Sequence, residues 1–281
     1  MSALDLGIAT DADTFPSVDL TSAEIEYVRE HLGLDVLPVV LGGTALCGSV
    51  RERDVAMQSA ATSLTERDLL PGGEIHHDIA ETLRALTRPA WELALRSHNQ
   101  GTLTRVCIAA DESLCVEASS NETSQSLTLS RVLNPADAVV RVLGPSDTMP
   151  IAVINAPTDR LSAALNAEPD PATVADALTQ AGVPPAEAGQ LGCAIVACTS
   201  FTEIVGIPRG VGTENLPAGV VSVFDTAHGR LVASSSTSAD GTQWSSISSG
   251  TPQRLRQAVN SLIELLSESP APASRYPRAI P

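Results

Sequence analysis

One strand-and-turn pattern runs twice along the chain, which limits the fold to architectures built from two like halves. Near the middle, Thr104-Arg-Val-Cys-Ile-Ala-Ala-Asp111 is followed by Leu114-Cys-Val-Glu-Ala-Ser119 and Ser126-Leu-Thr-Leu129. It then enters Asn134-Pro135 and a helical stretch to Leu143. Near the end, Gly219-Val-Val-Ser-Val-Phe-Asp225 is followed by His228-Gly229-Arg230-Leu-Val-Ala-Ser234 and Trp244-Ser-Ser-Ile247. It enters Thr251-Pro252 and a helical stretch to Leu266. Each copy reads as an antiparallel meander closed by a helix that opens on a capping residue plus Pro, about 115 residues apart. Helices precede each meander. The order helices, strands, helix, taken twice, predicts an α+β fold with a central, mainly antiparallel sheet, two helical bundles and a pseudo-two-fold internal repeat.

The helices before the first meander are announced by their caps. Thr21-x-x-Glu24 is a capping-box pattern, with Ile25, Val28 and Leu32 on one face and Gly33 as the stop. Ser49-x-x-Glu52 opens a helix toward Leu64, and a third runs from His77 to Leu86 before Arg88-Pro89. Trp91 to Arg96 alternates as a strand with one covered face. In the second half, Asp170-Pro171 and Pro184-Pro185 start helices ending near Gly182 and Ala197, and a strand covers Phe201–Ile207. The Pro-rich stretch 144–160 reads as the crossover, with a short strand at Ile151–Ile154. The expected organisation is a flexible arm over 1–18, half-repeats over 19–150 and 151–268 forming one compact domain, and a disordered tail over 269–281.

Composition narrows function mainly by exclusion. Net charge is −16, which disfavours nucleic acid and anionic membrane surfaces. Lysine is absent, so a Lys-terminated phosphate loop, a pyridoxal Schiff base and a lysine nucleophile are ruled out. The five cysteines form no Cys-x-x-Cys, and Cys107 and Cys115, on two strands of one hairpin, either pair or sit as buried small hydrophobes. The N-terminal stretch has Asp5, Asp11 and Asp13 and neither a basic leader nor an apolar run. The chain therefore reads as cytoplasmic, without membrane insertion.

The candidates for chemistry have simpler structural readings. His76-His77-Asp78 reads as a solvated first helical turn, because adjacent helical residues diverge by about 100° and share an ion poorly. Asp111 and Asp225 occupy like positions and could form a carboxylate pair, but each fits a turn better. His228 lies in a tight turn with no nucleophile anchored beside it, and Gly210-x-Gly212 precedes no helix. No cofactor, no metal and no catalytic residue is expected. The connection 208–217 is long for a hairpin and mixes Arg209, Glu214 and Asn215 with Val211 and Leu216, a composition suited to a partner contact.

An ordered set of residues resembles the EspG family, cytosolic chaperones associated with ESX (type VII) secretion in mycobacteria and related actinobacteria. The set is Asp19-Leu-Thr21, Leu37-Pro38, the charged helix from Arg51, Leu69–Glu74 and Arg88-Pro89-x-Trp91-Glu-Leu93. It continues with Phe201-Thr-Glu-Ile-Val205, Gly219 through Arg230, Trp244 and Gly250-Thr-Pro-Gln-Arg254 into Ala258 and Leu262. The resemblance covers about residues 19–268. It implies binding of a PE–PPE heterodimer through the apolar helical tip of the PPE protein, in a 1:1:1 complex, using the sheet surface and the C-terminal half. Carried onto this sequence, Arg209, Glu214, Asn215 and Leu216 become partner-contact residues, with Glu203, Val205 and Ile207 behind them. The hairpin here lacks the Lys that could pair with the substrate, and the 97–103 turn is short. The free protein is expected to be a monomer or weak homodimer. The competing expectations are a structural homodimer or adaptor without a secretion client, and a hydrolase with its site between the halves.

Overall fold

The computed structural model describes residues 17–42, 49–121, 126–209, 216–238 and 240–268. Its first half runs β1 (Ser17–Thr21), α1 (Ser22–His31), α2 (Val50–Glu66), α3 (His77–Thr87), β2 (Trp91–Asn99), β3 (Thr102–Ala110), β4 (Cys115–Asn121), β5 (Ser126–Arg131) and α4 (Pro135–Leu143). The second half runs β6 (Ile154–Pro157), α5 (Thr158–Leu165), α6 (Pro171–Gln180), α7 (Pro185–Val196), β7 (Cys198–Pro208), β8 (Gly219–Thr226), β9 (Gly229–Thr237), β10 (Gln243–Ser249) and α8 (Pro252–Glu268). The succession βαααββββα therefore occurs twice.

The caps form as the sequence predicts. Thr21 accepts from the Glu24 amide while the Glu24 carboxylate accepts from the Thr21 amide. Asn134 Oδ1 accepts from the amides of Ala136 and Asp137, and Thr251 Oγ1 accepts from that of Arg254.

The described strands make one ten-stranded sheet in the order β1-β5-β4-β3-β2-β7-β8-β9-β10-β6, in which neighbours run antiparallel. The order read outward from the centre, β2-β3-β4-β5-β1 and β7-β8-β9-β10-β6, is the same on both sides. The halves meet where β2 runs against β7, Glu92 opposite Ile207, Ala94 opposite Val205 and Arg96 opposite Glu203.

Alternation along the strands divides the core into three. Leu93, Leu95, Val106, Ile108, Ile204 and Val223 point to one face, where α4 and α8 cover them together. The approach of α8 is close: a Cβ on Gly206 or Gly219 would meet Leu262 Cδ1 at 2.8 or 2.9 Å, so a larger residue there would push that side chain aside. On the other face, α1, α2 and α3 cover the first half's strands, and α5, α6 and α7 cover the outer strands of the second. Between the two bundles the described residues leave the middle of this second face uncovered.

Three boundaries differ from expectation. Ser17 and Val18, placed in a loose arm, belong to edge strand β1, paired with β5. The crossover strand is Ile154–Pro157 rather than Ile151–Ile154, because it pairs with β10 and leaves Ile151 to bond Ser249. Helix α5 was not expected: it is eight residues long and has no side-chain cap. Residues 1–16 and 269–281, the expected arm and tail, lie outside the described residues.

Candidate functional site

The uncovered middle of the second face is a groove. Its floor comes from alternate residues of three strands: Ala94 and Arg96 of β2, Phe201, Glu203, Val205 and Ile207 of β7, and Val220, Ser222 and Phe224 of β8. Two cavities, of about 590 and about 270 Å³, lie along it and meet at Glu203.

The larger cavity is walled by Leu161 and Leu165 of α5 and Ile195 of α7. Phe201 and Phe224 lie side by side in its floor, ring centroids 5.0 Å apart and tilted by 43°. Serine and amide side chains, among them Ser222, Ser235, Ser245 and Asn166, edge the apolar patch. The smaller cavity is walled by Val39 and Val40, which lie in a short 3-10 turn, Val39–Leu41, after α1.

Charge in the groove is sparse and arranged along β2 and β7. Glu92, 1% exposed, accepts from Arg209 Nη2 at 2.8 Å. Arg96 and Glu203 stand opposite each other four residues further along. An apolar floor with a polar rim and few charges suits burial of another protein's exposed apolar side chains, with the rim fixing register.

Four of the partner-contact residues expected from the sequence meet here: Glu203, Val205, Ile207 and Arg209. Arg209 does not project toward solvent as a hairpin contact would. It turns back to neutralise the buried Glu92 carboxylate, and its amide donates to Ala90 O at 2.8 Å. Leu216 is 64% exposed and lies outside the groove lining, and Glu214 and Asn215 lie outside the described residues. The sequence reading missed the α5 and α7 wall, Phe224 and Ser222. Amphipathic spacing on α5 (Leu161, Ala164, Leu165) was the available signal, but the segment is only eight residues long.

The remaining polar candidates hold structure. Asp111 Oδ1 accepts from the Ser113 and Leu114 amides, a turn contact as expected, whereas Asp225 pairs with Arg230. His228 is exposed in the turn between β8 and β9. His77 pairs with Glu81, and Arg131 holds both Asp78 and Glu81. Among the described residues no helix is long and apolar enough to cross a membrane.

Cys107 and Cys115 are unpaired. They project from opposite faces of the sheet, Cys107 among the first bundle's contacts and Cys115 against the α4–α8 side. Burial pushes both thiols up, Cys115 to about 11, with Glu92 adding to the effect on Cys107 and Glu117 on Cys115. For Cys115 this thins the thiolate about a hundredfold near pH 8 relative to an unshifted thiol. In a Cys47→Ser background, a thiol reagent should label exposed Cys193 promptly, and Cys107 and Cys115 only on unfolding. Prompt native labelling of Cys107 would contradict the burial described.

Known proteins match along most of the chain. The EspG family model matches residues 21–261. The ESX-1 secretion-associated protein EspG1 of Mycobacterium marinum (strain ATCC BAA-535 / M) is 27% identical over 270 residues, which are 94% of this chain and 93% of that protein. Among solved structures, the Mycobacterium tuberculosis type VII secretion system chaperone EspG5, solved in complex with a PE25–PPE41 dimer, superposes with a TM-score of 0.70. It is 15% identical, with 89% of this chain and 96% of that chain covered.

Proposed function

The chain belongs to the EspG family, and from that membership we propose that it is a cytosolic, non-catalytic secretion chaperone of a PE–PPE heterodimer. It holds the apolar helical tip of the PPE protein in a 1:1:1 complex, keeps the pair soluble and directs it to its ESX type VII system. The observation that supports this most is the groove between the bundles. It is an apolar floor of Phe201, Val205, Val220 and Phe224 with a hydroxyl and amide rim, open on a sheet whose other face is covered by α4 and α8. The solved relative with this fold was captured with a PE–PPE dimer. A helical tip exposing apolar side chains would otherwise aggregate.

In this reading Glu203, Val205 and Ile207 contact the client directly. Arg209, Glu214, Asn215 and Leu216, at or within the β7–β8 connection in sequence, are proposed as further contacts. Co-expression with the PE–PPE pairs encoded near this chain, followed by gel filtration with light scattering, tests the proposal. One pair is expected to co-elute at 1:1:1 with a free chaperone that is a monomer or weak dimer. Failure of every such pair to co-elute would defeat the reading.

A further inference from the structure

The two halves differ most at one equivalent place. Eighteen residues, 32–49, connect α1 to α2, whereas five, 166–170, connect α5 to α6. The described part of the longer connection returns to the sheet. Its turn packs across β2, β3 and β4, and Leu34, Val40 and Leu41 are 9%, 4% and 7% exposed. They complete the first half's core with Ala94, Cys107 and Ala118. In the second half the corresponding surface, over β7, β8 and β9 beside α5, carries no such segment among the described residues, and there lies the larger cavity. The fold thus repeats one apolar seat twice. One is filled by the chain's own turn, and the other is open.

We infer that the Val39–Leu41 turn is an internal likeness of the client, and that the open seat takes the same chemistry from the client's tip. That chemistry is a short turn presenting two adjacent branched aliphatic side chains, with a backbone carbonyl directed at a serine hydroxyl of the fourth strand. This rests on the chaperone reading above and adds what the client must present. The parallel extends to polar detail. Ser120 Oγ of β4 reaches Leu41 O at 3.5 Å. Ser235 of β9 lines the open seat, its hydroxyl donating to Val220 O of its own sheet at 3.5 Å, a bond that an incoming carbonyl would replace. The filled floor is small and apolar, and the open one sets apolar Phe201, Val220 and Phe224 beside Ser222 and Glu203. One such open seat lies among the described residues, which corresponds to one client per chain.

The test uses the full chain, methyl-labelled at Leu, Ile and Val, and a nine-residue peptide of sequence Leu-Asp-Val-Leu-Pro-Val-Val-Leu-Gly, that of residues 34–42. Two buried aliphatic side chains on a flexible peptide should give saturable binding with a Kd of about 1 mM, within reach of methyl shifts. The shifts should centre on Leu161, Leu165, Ile195 and Val220. Serine in place of the peptide's Val40 and Leu41 equivalents should weaken it at least about tenfold. Ser222→Trp, which obstructs the seat from an already half-buried floor position, should abolish the shifts while the melting temperature holds. Unmoved methyls, shifts centred elsewhere, or equal binding of the serine peptide would overturn the inference. The two readings fail separately. A PE–PPE pair that co-elutes although the peptide leaves the methyls unmoved removes the likeness and leaves the chaperone. Peptide binding without any co-eluting pair does the reverse.

Discussion

Ser222→Trp is expected to lower affinity for the PE–PPE pair about a hundredfold, near 2.7 kcal/mol, with little change in the melting temperature. Ser222 sits on β8 of the groove floor, opposite Glu203 on β7 and Ala233 on β9. Its side chain lines the larger cavity, two residues along β8 from Phe224. An indole there occupies space that the client's apolar tip would need, and it removes nothing from the three cores. Buried centres of interfaces carry most of the binding energy, so an obstruction at the centre outweighs a change at the rim. Leu216→Asp, at a proposed contact outside the groove lining, should cost about tenfold or less by the same reasoning. The readout is titration of the purified pair by calorimetry or interferometry, with thermal unfolding of the free variant as control. Affinity within about twofold of the parent would remove the groove as the seat.

The sequence made some of this legible. Helices α4 and α8 could be read because each begins with a cap that binds its own first turn and carries an apolar stripe: Val139 in α4, and Leu255, Val259, Leu262 and Leu266 in α8. The meanders could be read because paired strands adjacent in sequence need only turns. Edge strand β1 escaped because its alternation is short: only Val18, half-buried, and Leu20, buried, face the core in five residues. Its partner β5 is also more than 100 residues away. Helix α5 escaped because Pro157 gives it no side-chain cap.

The candidate site was half legible for a similar reason. Glu203, Val205 and Ile207 alternate on one strand, so their shared face follows from local geometry. The inward turn of Arg209 depends on Glu92, 117 residues earlier, and no local signal carries that pairing. The larger cavity exists because the α5–α6 connection is short where the α1–α2 connection is long. That difference acquires meaning only once the two halves are seen to share one topology.

Arg230→Met should destabilise the chain by about 3–5 kcal/mol, because it breaks a buried ion pair by removing one partner. Arg230 is 5% exposed. Its Nε and Nη2 donate to the two Asp225 oxygens at 2.6 and 2.9 Å, while Nη1 and Nη2 donate to Gly144 O and Leu143 O at 3.0 Å each. Leu143 ends α4 and Gly144 follows it, so a β9 side chain of the second half closes the last helix of the first. The backbone completes the joint. The Arg230 amide donates to Asp147 O at 2.6 Å, and Arg230 O accepts from the Gly250 amide at 2.8 Å. A Cβ on Gly250 would lie 2.4 Å from Arg230 Cγ, so the preceding strand can reach α8 here only through glycine. Met fills the aliphatic volume but leaves the Asp225 carboxylate and two helix-terminal carbonyls without their donors. Lys should fare little better, since one ammonium cannot span a carboxylate and two carbonyls as the planar guanidinium does. Asp225→Asn on top of Arg230→Met should recover part of the loss, because the unpaired charge is then gone. Urea unfolding measures it: with a slope of about 2–3 kcal/mol/M for a chain of this size, the midpoint should fall by about 1–2 M. A fall below about 0.3 M would mean that the seam between the halves is held elsewhere.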